Sequence, residues 1–97
     1  MLTLKIVSKK GTGSAVKCDS VHLVTVDDTT GKGGGRLGIR PGHIKSLISV
    51  DEGPVRAYLD GKEIFFAIVG TGFATVENDI VTIVTERMQN AECRMQN

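Results

Sequence analysis

Aromatic side chains are almost missing from this chain. Tyr58, Phe65, Phe66 and Phe73 are all it has, and there is no Trp. Residues 27 to 49 contain no aromatic, so the most basic stretch offers no platform on which nucleic-acid bases would stack. Acids are also missing from Thr29 to Val50, where Lys32, Arg36, Arg40, Lys45 and His43 stand instead. The acids Asp27, Asp28, Asp51 and Glu52 lie just outside. The net charge is only +1, too balanced to argue for nucleic acid or membrane by itself. No apolar run reaches membrane-spanning length. The start, LTLKIVSKK, has no long apolar core and no cleavage site, so no signal peptide is expected. The two cysteines, Cys18 and Cys93, are far apart and in no metal-ligand spacing, which fits a reducing cytosol better than a stapled secreted domain.

What is abundant is Val, Ile and Thr, side chains that crowd a helix but suit a pleated sheet. With 97 residues the chain has room for one small domain, in which almost every strand must contribute to a thin core. LTLKIVS alternates Leu2, Leu4 and Ile6 with polar residues, which is strand periodicity. SAVKC reads as a short strand, and VHLVTV (21–26), apolar on both faces, as a central one. DDTTGKGGG breaks the pattern, with four glycines at 31 to 35. RLGIR is a short extended piece ended by Pro41, and HIKSLISV fits a strand or a helical turn equally. Asp60-Gly61 between VRAYL and KEIFFAIVG is a hairpin signal of the type I′ kind, and Asn78-Asp79 repeats it between GFATVE and IVTIVTE. The expected fold is all-β, a sandwich of two antiparallel sheets over residues 1–86. A short helix-compatible tail follows over 87–97 and contains RMQN twice. The expected core is Leu4, Ile6, Val21, Leu23, Ile64, Phe66, Ile68, Val81 and Ile83.

Chemical motifs are thin. Gly33, Gly35 and Gly38 satisfy G-x-G-x-x-G, but a dinucleotide fingerprint needs a helix opening at its last glycine. Arg40-Pro41-Gly42 follows Gly38 too closely for that. His22 lies inside a strand and His43 in a turn, and neither is placed beside a second catalytic group. Ser14, Ser46, Cys18 and Cys93 have no base near them in any motif. Asp27 and Asp28, adjacent in sequence, point to opposite faces of an extended chain. The residues favour a binding or structural module over an enzyme, with no catalytic residue, no metal site and no cofactor. One such module would bind an anionic ligand through Lys32, Arg36 and Arg40 on the basic glycine-rich loop.

RLGIRPGH resembles the G-x-LGI-x-PGH signature of the epsilon subunits of F-type ATP synthases, through Gly35, Leu37, Gly38, Ile39, Pro41, Gly42 and His43. The likeness extends over roughly residues 1 to 87, including LKIVS, VHLVTV, HIKSLISVDEGPVRAYLDGKE and FFAIVGTGFATVENDIVTIVTE. It implies a non-catalytic central-stalk (rotor) subunit of a proton- or sodium-translocating enzyme, coupling ion flow to ATP synthesis or hydrolysis. The implied partners are the gamma subunit and the c-ring, with no nucleic acid and with membrane contact only through the complex. The subunit would be a monomer when isolated and would sit at the cytoplasmic face of the bacterial inner membrane. Carried over residue by residue, the c-ring contact falls on Gly33, Gly34, Gly35, Arg36 and Leu37. The gamma-facing positions fall on Ser8, His43 and Ile48, and Gly38, Ile39, Pro41 and Gly42 keep structural roles in the motif. Family members often carry an acid where this chain has Arg36. The loop from Thr29 to Gly34 is longer and richer in glycine than usual, so it is expected to be mobile in the isolated protein and ordered in an assembly. The tail is too short for the helical hairpin that many members carry, so neither hairpin inhibition nor ATP binding is expected of this chain.

Overall fold

A computed structural model describes residues 1–11, 13–26 and 35–93, the side chains of Asn90 and Cys93 excepted. Among these residues every regular element is a strand: β1 Leu2–Ser8, β2 Gly13–Cys18, β3 Ser20–Thr25, β4 Gly35–Ile39, β5 Ser46–Val50, β6 Gly53–Leu59, β7 Lys62–Val69, β8 Gly72–Glu77, β9 Ile80–Thr85 and β10 Met88–Cys93.

The turns take the form the sequence dictates. Asp60 and Gly61 have φ of 53° and 78°, and Asn78 and Asp79 have 53° and 60°. Positive φ at both central residues is what lets a two-residue turn follow the right-handed twist of its strands. The β7–β8 connection is tighter still. A Cβ on Gly72 would sit 2.0 Å from the Val84 carbonyl oxygen, so only glycine fits where β8 leaves the turn beside β9. The buried Thr85 hydroxyl donates to the Gly70 carbonyl at 2.9 Å, and the Gly70 N–H donates to the Arg87 carbonyl at 3.0 Å.

The strands pair in the order β10-β7-β6-β3-β5-β8-β9-β1-β2, with β4 on the other side of β3. Between β3 and β5 there is a single pair, Thr25 with Val50. The ladder therefore bends there into two layers: sheet I, of β4, β3, β6, β7 and β10, and sheet II, of β5, β8, β9, β1 and β2. Val21, Leu23, Ile39, Val55, Ala57, Phe65, Ala67 and Val69 of sheet I meet Leu2, Leu4, Ile6, Val16, Val50, Ala74, Val76, Val81 and Ile83 of sheet II in one core. The shortest dimension, 21 Å, is what two sheets stacked about 10 Å apart with their outer side chains require. The fold is thus the all-β sandwich expected. Among the described residues all ladders are antiparallel except one, because β1 lies parallel to β9.

Two expectations change. Phe66 and Ile68 are half-buried, and the inward face of β7 carries Phe65, Ala67 and Val69 instead. The cause is a bulge: Tyr58 pairs with Glu63 and Ala57 with Phe65, so Ile64 has no opposite residue. One extra residue reverses which side chains face the core. Ile64 and Phe65 are consecutively buried at the switch, whereas Leu4, Ile6, Val21, Leu23, Ile64, Val81 and Ile83 are buried as expected. The tail, read as helix-compatible, forms β10 as far as Cys93 and pairs antiparallel with β7 through a bulge between Gln89 and Glu92. A short helix with no docking face is marginal in water, while an open sheet edge supplies backbone partners.

Candidate docking surfaces

The LGIRPGH stretch builds one corner of the domain. Leu37 and Ile39 of β4 face inward beside Leu23 and Val21, while Arg36 and Gly38 face outward. Pro41 and Gly42 end the strand. The His43 N–H donates to the Arg40 carbonyl at 3.2 Å, and Gly42 adopts φ +83°, a conformation that favours glycine. The Gly42 N–H then donates to Asp79 Oδ1 at 2.9 Å. The motif turn is in this way tied to the Asn78-Asp79 turn of the β8–β9 hairpin. Just beyond it, Lys45 pairs with Glu77 at 3.2 Å on the surface.

This corner opens onto the outer face of sheet II, which is unusually apolar. Ile44 is 78% exposed and Leu47 75%. Across the sheet, Val7, Val84 and Phe73 share one row, and Val7 and Phe73 are exposed. Ile80 is exposed in the row beside Thr3 and Glu77. A face that exposes several large apolar side chains among Thr and charged ones has the character of a protein-binding surface.

The outer face of sheet I differs. His22, Arg56 and Phe66 follow one another across β3, β6 and β7. Arg56 lies over the Phe66 ring at 5.4 Å and 3.5 Å from Glu63, and His22 meets Tyr58 edge-on at 5.1 Å. Arg36 stands beside them across the β3–β4 ladder, opposite Val24. Sequence reading missed His22, Arg56 and Tyr58 as a group, although their outward positions on alternating strands were a usable signal.

The c-ring positions expected from the sequence divide. Gly33 and Gly34 lie outside the described residues, as do Lys32 and the rest of the loop from 27 to 34. Gly35 accepts a hydrogen bond from the Thr25 hydroxyl at 3.3 Å, Leu37 packs on the core, and Arg36 presents its side chain to solvent. Of the gamma-facing positions, His43 and Ile48 are half-buried near the motif turn. Ser8 is only 4% exposed at the end of β1, with β9 and β8 between it and β5. Arg40 is exposed and stands apart from the group of Arg36, His22 and Arg56.

Reactive chemistry is sparse among the described residues. Cys18 is fully buried, and burial, assisted by the Asp19 charge, pushes its thiol up to about 11. Among the described residues no three His, Cys, Asp or Glu side chains converge as a metal site would require. No helix is long and apolar enough to cross a membrane.

The family model described as ATP synthase, Delta/Epsilon chain, beta-sandwich domain matches residues 1–91. The chain belongs to this family. Among curated members, the ATP synthase epsilon chain of Lawsonia intracellularis is 33% identical over 90 residues, covering 93% of this chain and 62% of that one. The epsilon chain of Synechococcus sp. (strain JA-2-3B'a(2-13)) is 41% identical over 58 residues, covering 60% of this chain and 42% of that one. The delta/epsilon-type sandwich described above therefore spans 42% to 62% of the length of these two relatives. A chain of the mitochondrial ATP synthase of Euglena gracilis superposes on 90% of this chain with a TM-score of 0.65 at 18% identity, covering 51% of that chain. A chain of the Tetrahymena thermophila mitochondrial ATP synthase, from its central stalk and c-ring, gives 0.63 at 11% identity and covers 90% of this chain and 64% of that one. At these identities the two solved structures establish the sandwich and its topology.

Proposed function

We propose that this chain is a non-catalytic central-stalk subunit of a proton- or sodium-translocating F-type ATP synthase. It holds the gamma subunit on one side and the c-ring on another, and it needs no cofactor of its own. The observation that carries this reading is the family match over residues 1–91 on a domain whose exposed features suit docking. The complex would place it at the cytoplasmic face of a bacterial membrane, touching lipid only through its partners.

In this reading gamma packs on the corner held by the PGH turn. His43 and Ile48 lie there, and Ile44 and Leu47 add exposed apolar surface. Burying the better part of one such side chain stabilises a complex by about 1.5–3 kcal/mol. Ser8 contributes by shaping the end of β1, next to Thr85, and offers almost no surface itself. The c-ring contact runs through Gly33, Gly34, Gly35, Arg36 and Leu37, with Arg36 as the side chain that reaches outward. An acid is common at that position in relatives, so the facing c-ring loop must differ in charge from theirs, since like charges brought together weaken docking.

The test is capture of the folded chain by the gamma subunit of its own organism, alone and with the c-ring. Binding is expected, and Leu47→Glu should weaken it at least tenfold while leaving the melting temperature within a degree or two. Failure of the folded chain to bind either preparation would end the proposal.

A further inference from the structure

Between β3, β4 and β6, on the outer face of sheet I, lies a cleft of about 110 Å³. Its walls include His22, Val24, Arg36, Pro54, Arg56 and Tyr58. Two guanidinium groups and an imidazole thus share one small concavity. Arg36 has no ion-pair partner among the described residues. Arg56 is held in place by its stack on Phe66 and by Glu63, and that surface ion pair is long, at 3.5 Å, and half-exposed. A pair of this kind is worth little and leaves most of the guanidinium donors free.

We propose that this cleft receives the carboxylate of a single Asp or Glu side chain from the protein against which this side of the domain docks. Three features select that occupant. The volume is well below the roughly 300–1,000 Å³ of a metabolite pocket, so it admits one functional group and not a nucleotide. Arg36 and Arg56 are planar forks whose donors match a carboxylate in pairs. Val24, Pro54 and the Tyr58 ring form an apolar wall suited to the methylenes of an acidic side chain, which a free phosphate lacks. The site rests on this geometry. That its occupant belongs to a protein rests on the docking reading above.

Arg36 and Arg56 lie on strands separated in sequence and paired on either side of β3, Arg56 opposite His22 and Arg36 opposite Val24. The cleft is therefore built on three paired strands and presents preorganised donors to a carboxylate, which lowers the ordering cost of docking.

The test is an amide and arginine side-chain shift titration of the whole chain with a blocked hexapeptide, Gly-Ser-Glu-Glu-Ser-Gly. The same peptide carrying Gln in place of Glu, and inorganic phosphate, serve as separate arms. Saturable shifts at His22, Gly38 and Arg56 with the Glu peptide are expected, at least about tenfold weaker with the Gln peptide. Arg36→Gln and Arg56→Gln should each weaken binding about fivefold with the circular dichroism spectrum unchanged, and added salt should weaken it further. Equal responses to the two peptides, shifts away from the cleft, or no loss in Arg36→Gln would overturn the proposal. Saturation by phosphate without a response to the Glu peptide would overturn it as well. No partner subunit enters this titration, so its failure leaves the stalk reading to its own binding test.

Discussion

Truncating Phe65 and truncating Phe66 should have very different consequences, although the two residues are neighbours of the same type. Phe65 is 1% exposed and is the largest fully buried side chain in the described core. Replacing such a ring by Ala removes its transfer free energy and leaves a cavity that strands on two sheets cannot close, at a cost of about 3–5 kcal/mol. Phe66 faces outward, half-buried, and its ring carries Arg56 at 5.4 Å. Losing part of an apolar contact and one cation–π contact should cost about 1–2 kcal/mol. A 97-residue domain unfolds with an entropy near 0.2 kcal/mol/K, so Phe65→Ala should lower the melting temperature by roughly 15–25 °C and Phe66→Ala by roughly 5–10 °C. Circular dichroism melts of the two variants, with urea midpoints as a second measure, decide the matter. Equal losses, or a larger loss for Phe66→Ala, would refute the bulge at Ile64 and restore plain alternation along β7.

Cys18 should resist alkylation in the native state. In a Cys93→Ser background, iodoacetamide should label it quickly in urea and slowly without it, and fast native labelling would contradict its burial. Its folded-state value, raised from 9.0 to about 11, lies above the unfolded one. Its contribution is therefore fully present below about pH 9 and is lost as pH rises through about 11, roughly 2–3 kcal/mol in all. That part of the alkaline loss should disappear in Cys18→Ala, and an unchanged pH profile would count against it. Gly72→Ala should cost about 3 kcal/mol or more, because the new methyl meets the Val84 backbone. Gly61→Ala, in open space at φ +78°, should cost only about 1–2 kcal/mol. Urea midpoints in the reverse order would contradict the close approach of β8 to β9.

Much of the fold was legible because its signals are local. Leu2, Leu4 and Ile6 alternate, Asp60-Gly61 and Asn78-Asp79 demand positive φ, and each feature needs only a few neighbouring residues to act. What escaped depends on distant pairing. The parallel match of β1 with β9 joins residues such as Ile6 and Ile83, and no short-range pattern specifies it. The Ile64 bulge arises between strands, and a single-strand pattern of KEIFFAIV gives Phe66 and Phe65 equal claim to the core. Met88 to Cys93 has no strong strand periodicity, and the free edge of β7 decides its conformation.

The candidate surfaces divide in the same way. LGIRPGH could be recognised as a run of residues, and its turn is held by a contact that the run does not contain, from Asp79 to the Gly42 N–H. His22, Arg36 and Arg56 could not be joined by reading along the chain, because only the β4–β3–β6 pairing puts them side by side. A two-layer sandwich covers one face of each sheet and leaves the other bare, so its outer residues are free to differ without cost to the core. Here they do differ. Sheet II exposes Val7, Leu47, Phe73 and Ile80, a surface whose docking would gain from apolar burial and respond little to salt. Sheet I gathers guanidinium groups, whose docking would fall as salt rises. Two faces with such different physical preferences favour two different neighbours, as the proposed stalk position requires.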